Sequence, residues 1–126
     1  MITKYVTYCS GRKRMDEEEI EAIQRYQSSR IDEVYEIHRE DTIILSGVYG
    51  LLETNEKIPY YDHLLQWNEI GQLKEKVIKQ IQNKKINKIV FYKKWLNQLQ
   101  YQAIIMMATS ELKIPLEIVD LTPKDK

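Results

Sequence analysis

One cysteine in 126 residues excludes an intrachain disulfide. With only two histidines beside it, a structural zinc site cannot be assembled from nitrogen and sulfur ligands alone, and no metal or cofactor is expected. No apolar run approaches the roughly 20 residues that a membrane-spanning helix needs. The opening residues, MITKYVTYCS, lack the charged-then-apolar layout of a signal peptide. A soluble cytoplasmic domain is the expectation, with no membrane partner. Neither GxGxxG nor GxxxxGK[ST] occurs, so there is no phosphate-binding fingerprint. Lys+Arg and Asp+Glu balance at 19 each, which removes the global positive field that attracts nucleic acid. Local basic stretches remain at Arg12-Lys13-Arg14, Lys84-Lys85-Lys88 and Lys93-Lys94. Phenylalanine is nearly absent, with one residue against nine tyrosines. Compositional drift explains that total as well as function does, but not the adjacent Tyr60-Tyr61 pair.

What is present fits one domain, residues 1–126, large enough to bury a core unaided. The segment Thr42–Leu65 organises it. Ile43-Ile44-Leu45 has the continuous apolar character of a strand buried on both faces, and it stops at Ser46-Gly47. A long loop, Gly47–His63, follows; at 17 residues it exceeds the usual connection, which marks it as functional.

Around this segment the pattern alternates. Ile2–Cys9 is a strand, ended by Ser10-Gly11. Asp16-Glu17-Glu18-Glu19 suits the first turn of a helix carrying Ile20, Ile23 and Tyr26 on one stripe. Ser28-Ser29 can cap a second helix, Arg30–Arg39, with Ile31, Val34, Tyr35 and His38 at helical spacing. Thr42–Ser46 is the second strand. Leu64–Gln82 is predicted helical, with Trp67, Leu73, Val77 and Ile81 on its apolar side. A third strand over Ile86–Tyr92, a helix over Lys93–Leu112 with a stripe from Leu96 and Leu99 to Ala103, Ile104, Met107 and Ala108, and a last strand over Leu116–Leu121 complete the chain. Alternating strands and helices predict an α/β fold, a three-layer α/β/α arrangement with a four-stranded parallel sheet in the order 2-1-3-4. The crevice of such a sheet lies outside the strand C-termini at the switch point, where Cys9-Ser10 and Ser46-Gly47 fall.

The candidate chemistry clusters there. Cys9 and Ser10 place a thiol and a hydroxyl at a strand end, with Arg12 and Lys13 near to hold an anion. Ser46-Gly47 offers a hydroxyl and bare backbone. Asp62 is the candidate catalytic carboxylate, as general base or polar clamp, with His63 beside it. Tyr60 and Tyr61 can stack on a planar base. Ser28 caps a helix or contacts the ligand, and His38 is packed on its helix. No nucleophile elbow surrounds any serine, so a Ser-His-Asp triad is discounted.

These residues form a recognisable pattern. Cys9-Ser10-x-x-Lys13, Tyr26-x-Ser28, ILSGVYGLL, Ile58 and Tyr61-Asp62-x-x-Leu65 resemble the CSxxK, YxS, ILSAxYGLL and I-x-PYD motifs of a bacterial and phage family near the YaaA-like proteins. A more distant similarity is to the lysine-transferring domain of archaeosine synthase. The resemblance spans Lys4–Leu65. It implies a nucleobase- or nucleotide-related role, with Cys9, Ser10, Lys13, Tyr26, Ser28, Ser46, Tyr49, Gly50, Tyr61 and Asp62 at the marked positions. Gly47 and Val48 replace the small residue and cation that usually precede the tyrosine, and the C-terminal half lacks a Gly-rich closing segment.

Two readings stay open. One is a protein that binds a nucleotide- or nucleoside-derived small molecule and sequesters it without turnover. The other is an enzyme acting on a nucleoside or nucleotide, by N-glycosidic hydrolysis or by base or group transfer. A nucleic-acid module is disfavoured by charge, a purely structural interaction domain is the plain alternative, and a homo-oligomer is compatible with all of them.

Overall fold

The computed structural model describes residues 1–16, 18–95 and 98–123. The chain runs β1 (Thr3–Tyr8), β2 (Ile20–Glu21), α1 (Ala22–Arg25), α2 (Ser29–His38), β3 (Thr42–Ser46), β4 (Gly50–Glu53), β5 (Lys57–Ile58), α3 (Ile70–Asn83), β6 (Lys88–Lys93), α4 (Leu99–Leu112) and β7 (Leu116–Asp120). Short 3-10 turns at Arg39–Asp41 and Trp67–Glu69 precede β3 and α3.

All residues of β3 are buried, as its apolar run requires. It lies parallel to β1, pairing Ile43 with Val6 and Ile44 with Thr7, and antiparallel to β4 on its other side. Among the described residues the main sheet has five strands in the order β4-β3-β1-β6-β7, of which all but β4 are parallel. The expected sheet of four parallel strands in the order 2-1-3-4 is therefore corrected to a mixed, five-stranded one. The added strand comes from the segment expected to be loop. Gly50 takes φ +74°, a left-handed conformation suited to glycine, and turns the chain back so that Leu51 and Leu52 pair with Leu45 and Ile44. Gln80 of α3 then covers the edge: its Oε1 accepts the Leu51 N–H at 2.7 Å, and its Nε2 donates to the Tyr49 and Leu51 carbonyls.

The helix expected after Asp16 is replaced by a strand and one helical turn, with Glu17 outside the described residues. Ile20 and Glu21 pair antiparallel with Ile58 and Lys57. The Ala22 and Ile23 N–H groups donate to the Glu56 and Thr54 carbonyls at 2.8 and 3.0 Å. Upstream, the fully buried Arg25 guanidinium donates to the carbonyls of Arg14, Asp16, Glu18 and Ile58. Those carbonyls are satisfied by a side chain, so a helix is not needed to pair them.

The other boundaries shift for local reasons. Ser28 caps α2, its Oγ accepting the Ile31 N–H at 3.3 Å. Reciprocal bonds between Gln66 and Glu69 form a capping box, so the regular helix begins at Ile70 rather than Leu64. Leu73, Val77 and Ile81 are its buried face, while Trp67 is 55% exposed. In α4 the buried face is Tyr101, Ile104, Ile105, Ala108 and Thr109, whereas Leu99 is exposed and Ala103 and Met107 are half-buried. Leu96, expected in that stripe, lies outside the described residues. Lys93 ends β6 and the helix begins at Leu99, so Lys94 and Trp95 belong to the connection between them. Helix α2 packs on β1 and β3, α4 on β6, α3 on β4, and α3 and α4 on each other. Among the described residues no helix is long and apolar enough to cross a membrane.

Candidate functional site

From β1 the chain moves through α2 to β3 on one side of the sheet, then through α3 to β6 on the other. The switch point is thus between β1 and β6, and ligands of open α/β sheets bind outside the carboxyl ends of such strands. A crevice of about 340 Å³ is found there. Cys9, Ser10 and Gly11 leave β1 along it, the first turn of α2 supplies Ser28, Ser29 and Arg30, and the β6–α4 connection supplies Lys94, Trp95 and Gln98. No described lining residue is a carboxylate. Trp95 is 54% exposed and presents a large aromatic surface. Trp95 and Gln98 both have left-handed backbones, φ 64° and 57°, a conformation that costs energy in non-glycine residues and concentrates at functional sites.

Arg30 fixes the floor. It is buried, and its guanidinium donates to Thr7 Oγ1 at 2.5 Å, the Tyr8 carbonyl at 2.6 Å and the Cys9 carbonyl at 3.4 Å. It also lies 3.6 Å from the centre of the Tyr8 ring. Burial pulls its pKa below the ordinary value, opposed by Tyr8, Cys9 and Tyr101. A cation is thus held under the end of β1. At the other end of the sheet a depression of about 590 Å³ contains Lys4 and Lys84, but these are already paired with Asp41 at 3.2 Å and Glu53 at 2.9 Å.

Behind the crevice lies a network of phenols. Ser46 Oγ accepts the Val48 and Tyr49 N–H groups, each at 3.1 Å, so its own hydrogen is directed to Tyr61 Oη, 2.9 Å away. Tyr61 Oη makes a short bond with Tyr26 Oη. Three hydroxyl hydrogens serve two links, so one phenol hydrogen of the Tyr26–Tyr61 pair is left over within the network. The Lys13 ammonium sits over Tyr61, 4.6 Å from the ring centre, and Tyr49 meets Tyr61 edge-on at 5.5 Å. Cys9 Sγ donates to Tyr101 Oη at 3.4 Å, and Tyr101 stacks on Tyr8. Burial first, then the nearby Cys9, raises the pKa values of Tyr26, Tyr61 and Tyr101, which keeps all three neutral and able to donate.

The candidate residues therefore divide. Cys9, Ser10 and Ser28 line the crevice, and Lys13, Tyr26, Ser46, Tyr49 and Tyr61 form the network behind it. Gly47 lies against Tyr101 and Leu65, where a Cβ would stand 3.1 Å from Tyr101 Oη. Gly50 serves the turn into β4. Asp62 is exposed and makes no side-chain hydrogen bond or ion pair with any described residue. His63 is exposed too, its Nε2 3.0 Å from the Glu69 carboxylate. Arg12 borders a second depression, which also reaches Tyr26. His38 is packed, stacked on Tyr5 at 3.5 Å and bonded to Tyr92 Oη at 2.9 Å.

Arg30, Tyr101, Lys94 and Trp95 were not among the residues singled out by sequence. Lys93-Lys94 was visible as a basic stretch, and the adjacent Trp95 was the available signal. Among the described residues no group of three His, Cys, Asp or Glu side chains is arranged to hold a metal ion. No family model matches the chain, and no curated protein or solved structure matches it.

Proposed function

We propose that this chain binds a nucleotide-like small molecule in the crevice at the carboxyl ends of β1 and β6, on a three-layer α/β/α scaffold. The observation that carries the reading is the lining: Lys94, Trp95 and the hydroxyls of Ser10 and Ser28 above the buried Arg30, with no carboxylate among them. Such a surface suits a ligand with an anionic end and a planar end. Phosphate oxygens accept from Lys94 and from the hydroxyl of Ser28, whose own hydrogen is not used by its cap bond, in the field of Arg30. A base stacks on Trp95, an interaction worth about 1–3 kcal/mol per base. The resemblance to YaaA-like proteins supports the same ligand class, because Cys9, Ser10 and Ser28 belong to its motifs and Tyr26, Ser46 and Tyr61 to the network behind. The lining supplies donors and an aromatic face rather than a carboxylate or imidazole, which favours capture over hydrolysis.

The test is a thermal-shift screen against nucleoside mono-, di- and triphosphates and their nucleosides, with each ligand recovered and weighed by mass spectrometry. A ligand at 100 times its Kd adds about 2.7 kcal/mol of apparent stability. Phosphorylated ligands should stabilise the protein more than their nucleosides and be recovered intact. Recovery of free base and sugar would instead make the protein an N-glycosidase, and silence across the panel would refute the reading.

A further inference from the structure

The crevice does not end at its own rim. A second depression of about 860 Å³ adjoins it, and the two share Ser10, Gly11, Ser28 and Ser29 as lining. These four small residues are the saddle at which the two depressions meet. A Cβ placed on Gly11 meets nothing within 4 Å, so the saddle is open above the backbone. It is also fixed in place. Ser10 Oγ donates to the Arg12 carbonyl at 2.7 Å, and the Gln27 N–H donates to the same carbonyl at 2.9 Å. These bonds tie the turn after β1 to the residues just before α2.

The two arms differ in size and chemistry. The inner arm, about 340 Å³, ends at Lys94 and Trp95. It matches the lower end of small-molecule sites, which run from about 300 to 1,000 Å³, and suits one nucleoside unit. The outer arm is more than twice as large and has its own cations. Arg14 is paired with Asp16 at 2.7 Å, whereas the exposed Arg12 makes no ion pair with any described residue. Asp32 is the carboxylate of the outer arm and can accept from ribose hydroxyls.

Resting on the nucleotide reading above, we propose that the ligand is a dinucleotide. One nucleoside unit stacks on Trp95, the other lies beside Arg12 and Asp32, and the phosphate bridge crosses the Ser10–Gly11 and Ser28–Ser29 saddle. A bridge at this saddle places its charge between Lys94 and Arg12, and the serine hydroxyls and bare Gly11 backbone allow close approach.

Calorimetric titration of the full chain with AMP, with the pyrophosphate-linked NAD⁺ and with the phosphodiester-linked ApA tests this. One of the two dinucleotides should bind with 1:1 stoichiometry at least about tenfold more tightly than AMP, and which one does so identifies the linkage. Arg12→Ala, and more strongly Arg12→Glu, should reduce that ratio to within about threefold, while Trp95→Ala weakens both ligands. Equal affinity of AMP and both dinucleotides for the wild type would overturn the proposal. So would a ratio that neither Arg12 variant changes in protein that melts like wild type. Binding of none of the three would overturn the nucleotide reading itself, and this proposal with it.

Discussion

Ser46 Oγ and Tyr61 Oη, 2.9 Å apart, join the buried end of β3 to the loop that leads into α3. On its other side the same serine oxygen holds the Val48 and Tyr49 N–H groups. One hydroxyl thus closes the β3–β4 turn and positions the phenol network behind the crevice.

Ser46→Ala removes the acceptor of two backbone N–H groups and the donor to Tyr61. Stranding buried polar groups costs about 1–3 kcal/mol, and a loss in that range is expected from urea denaturation. Tyr61→Phe keeps the turn and should cost less, about 0.5–1.5 kcal/mol. If Ser46→Ala unfolds at the wild-type midpoint, the serine is not the joint described here.

Arg25→Met leaves the carbonyls of Arg14, Asp16, Glu18 and Ile58 without their donor. Removing a hydrogen-bonded buried charge from such a set should cost about 3 kcal/mol or more. The segment it holds should loosen first. Limited trypsin digestion should then cut after Arg14 faster in the variant than in the wild type, before global unfolding is detectable. Unchanged cleavage would show that the segment is held by other means.

Gly50→Ala places a Cβ at φ +74° and against the Gln80 amide. A left-handed conformation in a non-glycine residue costs about 1–3 kcal/mol, to which displacement of Gln80 from the Leu51 backbone is added. Amide exchange should accelerate at Leu51, whose N–H Gln80 holds, more than at Ile44 in the centre of the sheet. Uniform protection at both positions would contradict the role given to Gln80.

His38 is stacked on Tyr5, bonded to Tyr92 and faced by Asp41 across the end of α2. Burial lowers its pKa, and Asp41 only partly offsets this. A histidine with a folded-state pKa below its unfolded value of about 6.5 favours the folded chain while neutral. That contribution is complete above the unfolded pKa and is lost as the pH falls towards the folded one. The denaturation midpoint should therefore fall between pH 7 and pH 5, and fall less in His38→Gln. Equal pH dependence in both proteins would remove His38 as the cause.

Much of the scaffold was legible because it rests on local patterns. Thr42–Ser46 reads as a buried strand from its composition, and Ser28 reads as a cap from its place before Ile31 and Val34. Strand β4 was not legible, since four residues between a tight turn and a polar segment carry too little periodicity. The helix expected after Asp16 failed because local charge pattern competes with tertiary hydrogen bonding, and Arg25 and the Ile20–Ile58 pairing won. At the candidate site, Cys9, Ser10 and Ser46 drew notice because they stand at strand ends and Ser28 because it caps a helix, whereas Tyr61 drew notice from its aromatic cluster and motif. Arg30 was hidden, since a charged residue in an amphipathic helix is expected to face water, and here it is buried against β1. Trp95 was absorbed into a predicted helix that starts only at Leu99. Asp62 drew notice by residue type and by its place in the Tyr61-Asp62 motif, and it is not among the described residues that line the crevice.

Fluorescence reads the proposed contact between a nucleotide and Trp95 directly. The chain has two tryptophans, so Trp67→Phe makes Trp95 the sole indole. Titrating this protein with AMP and its dinucleotide relatives should quench the emission in a saturable way, and Lys94→Ala should shift the curve to higher ligand concentration. Emission that stays flat while thermal shifts show binding would place the ligand elsewhere. Flat emission with no stabilisation would contradict the account.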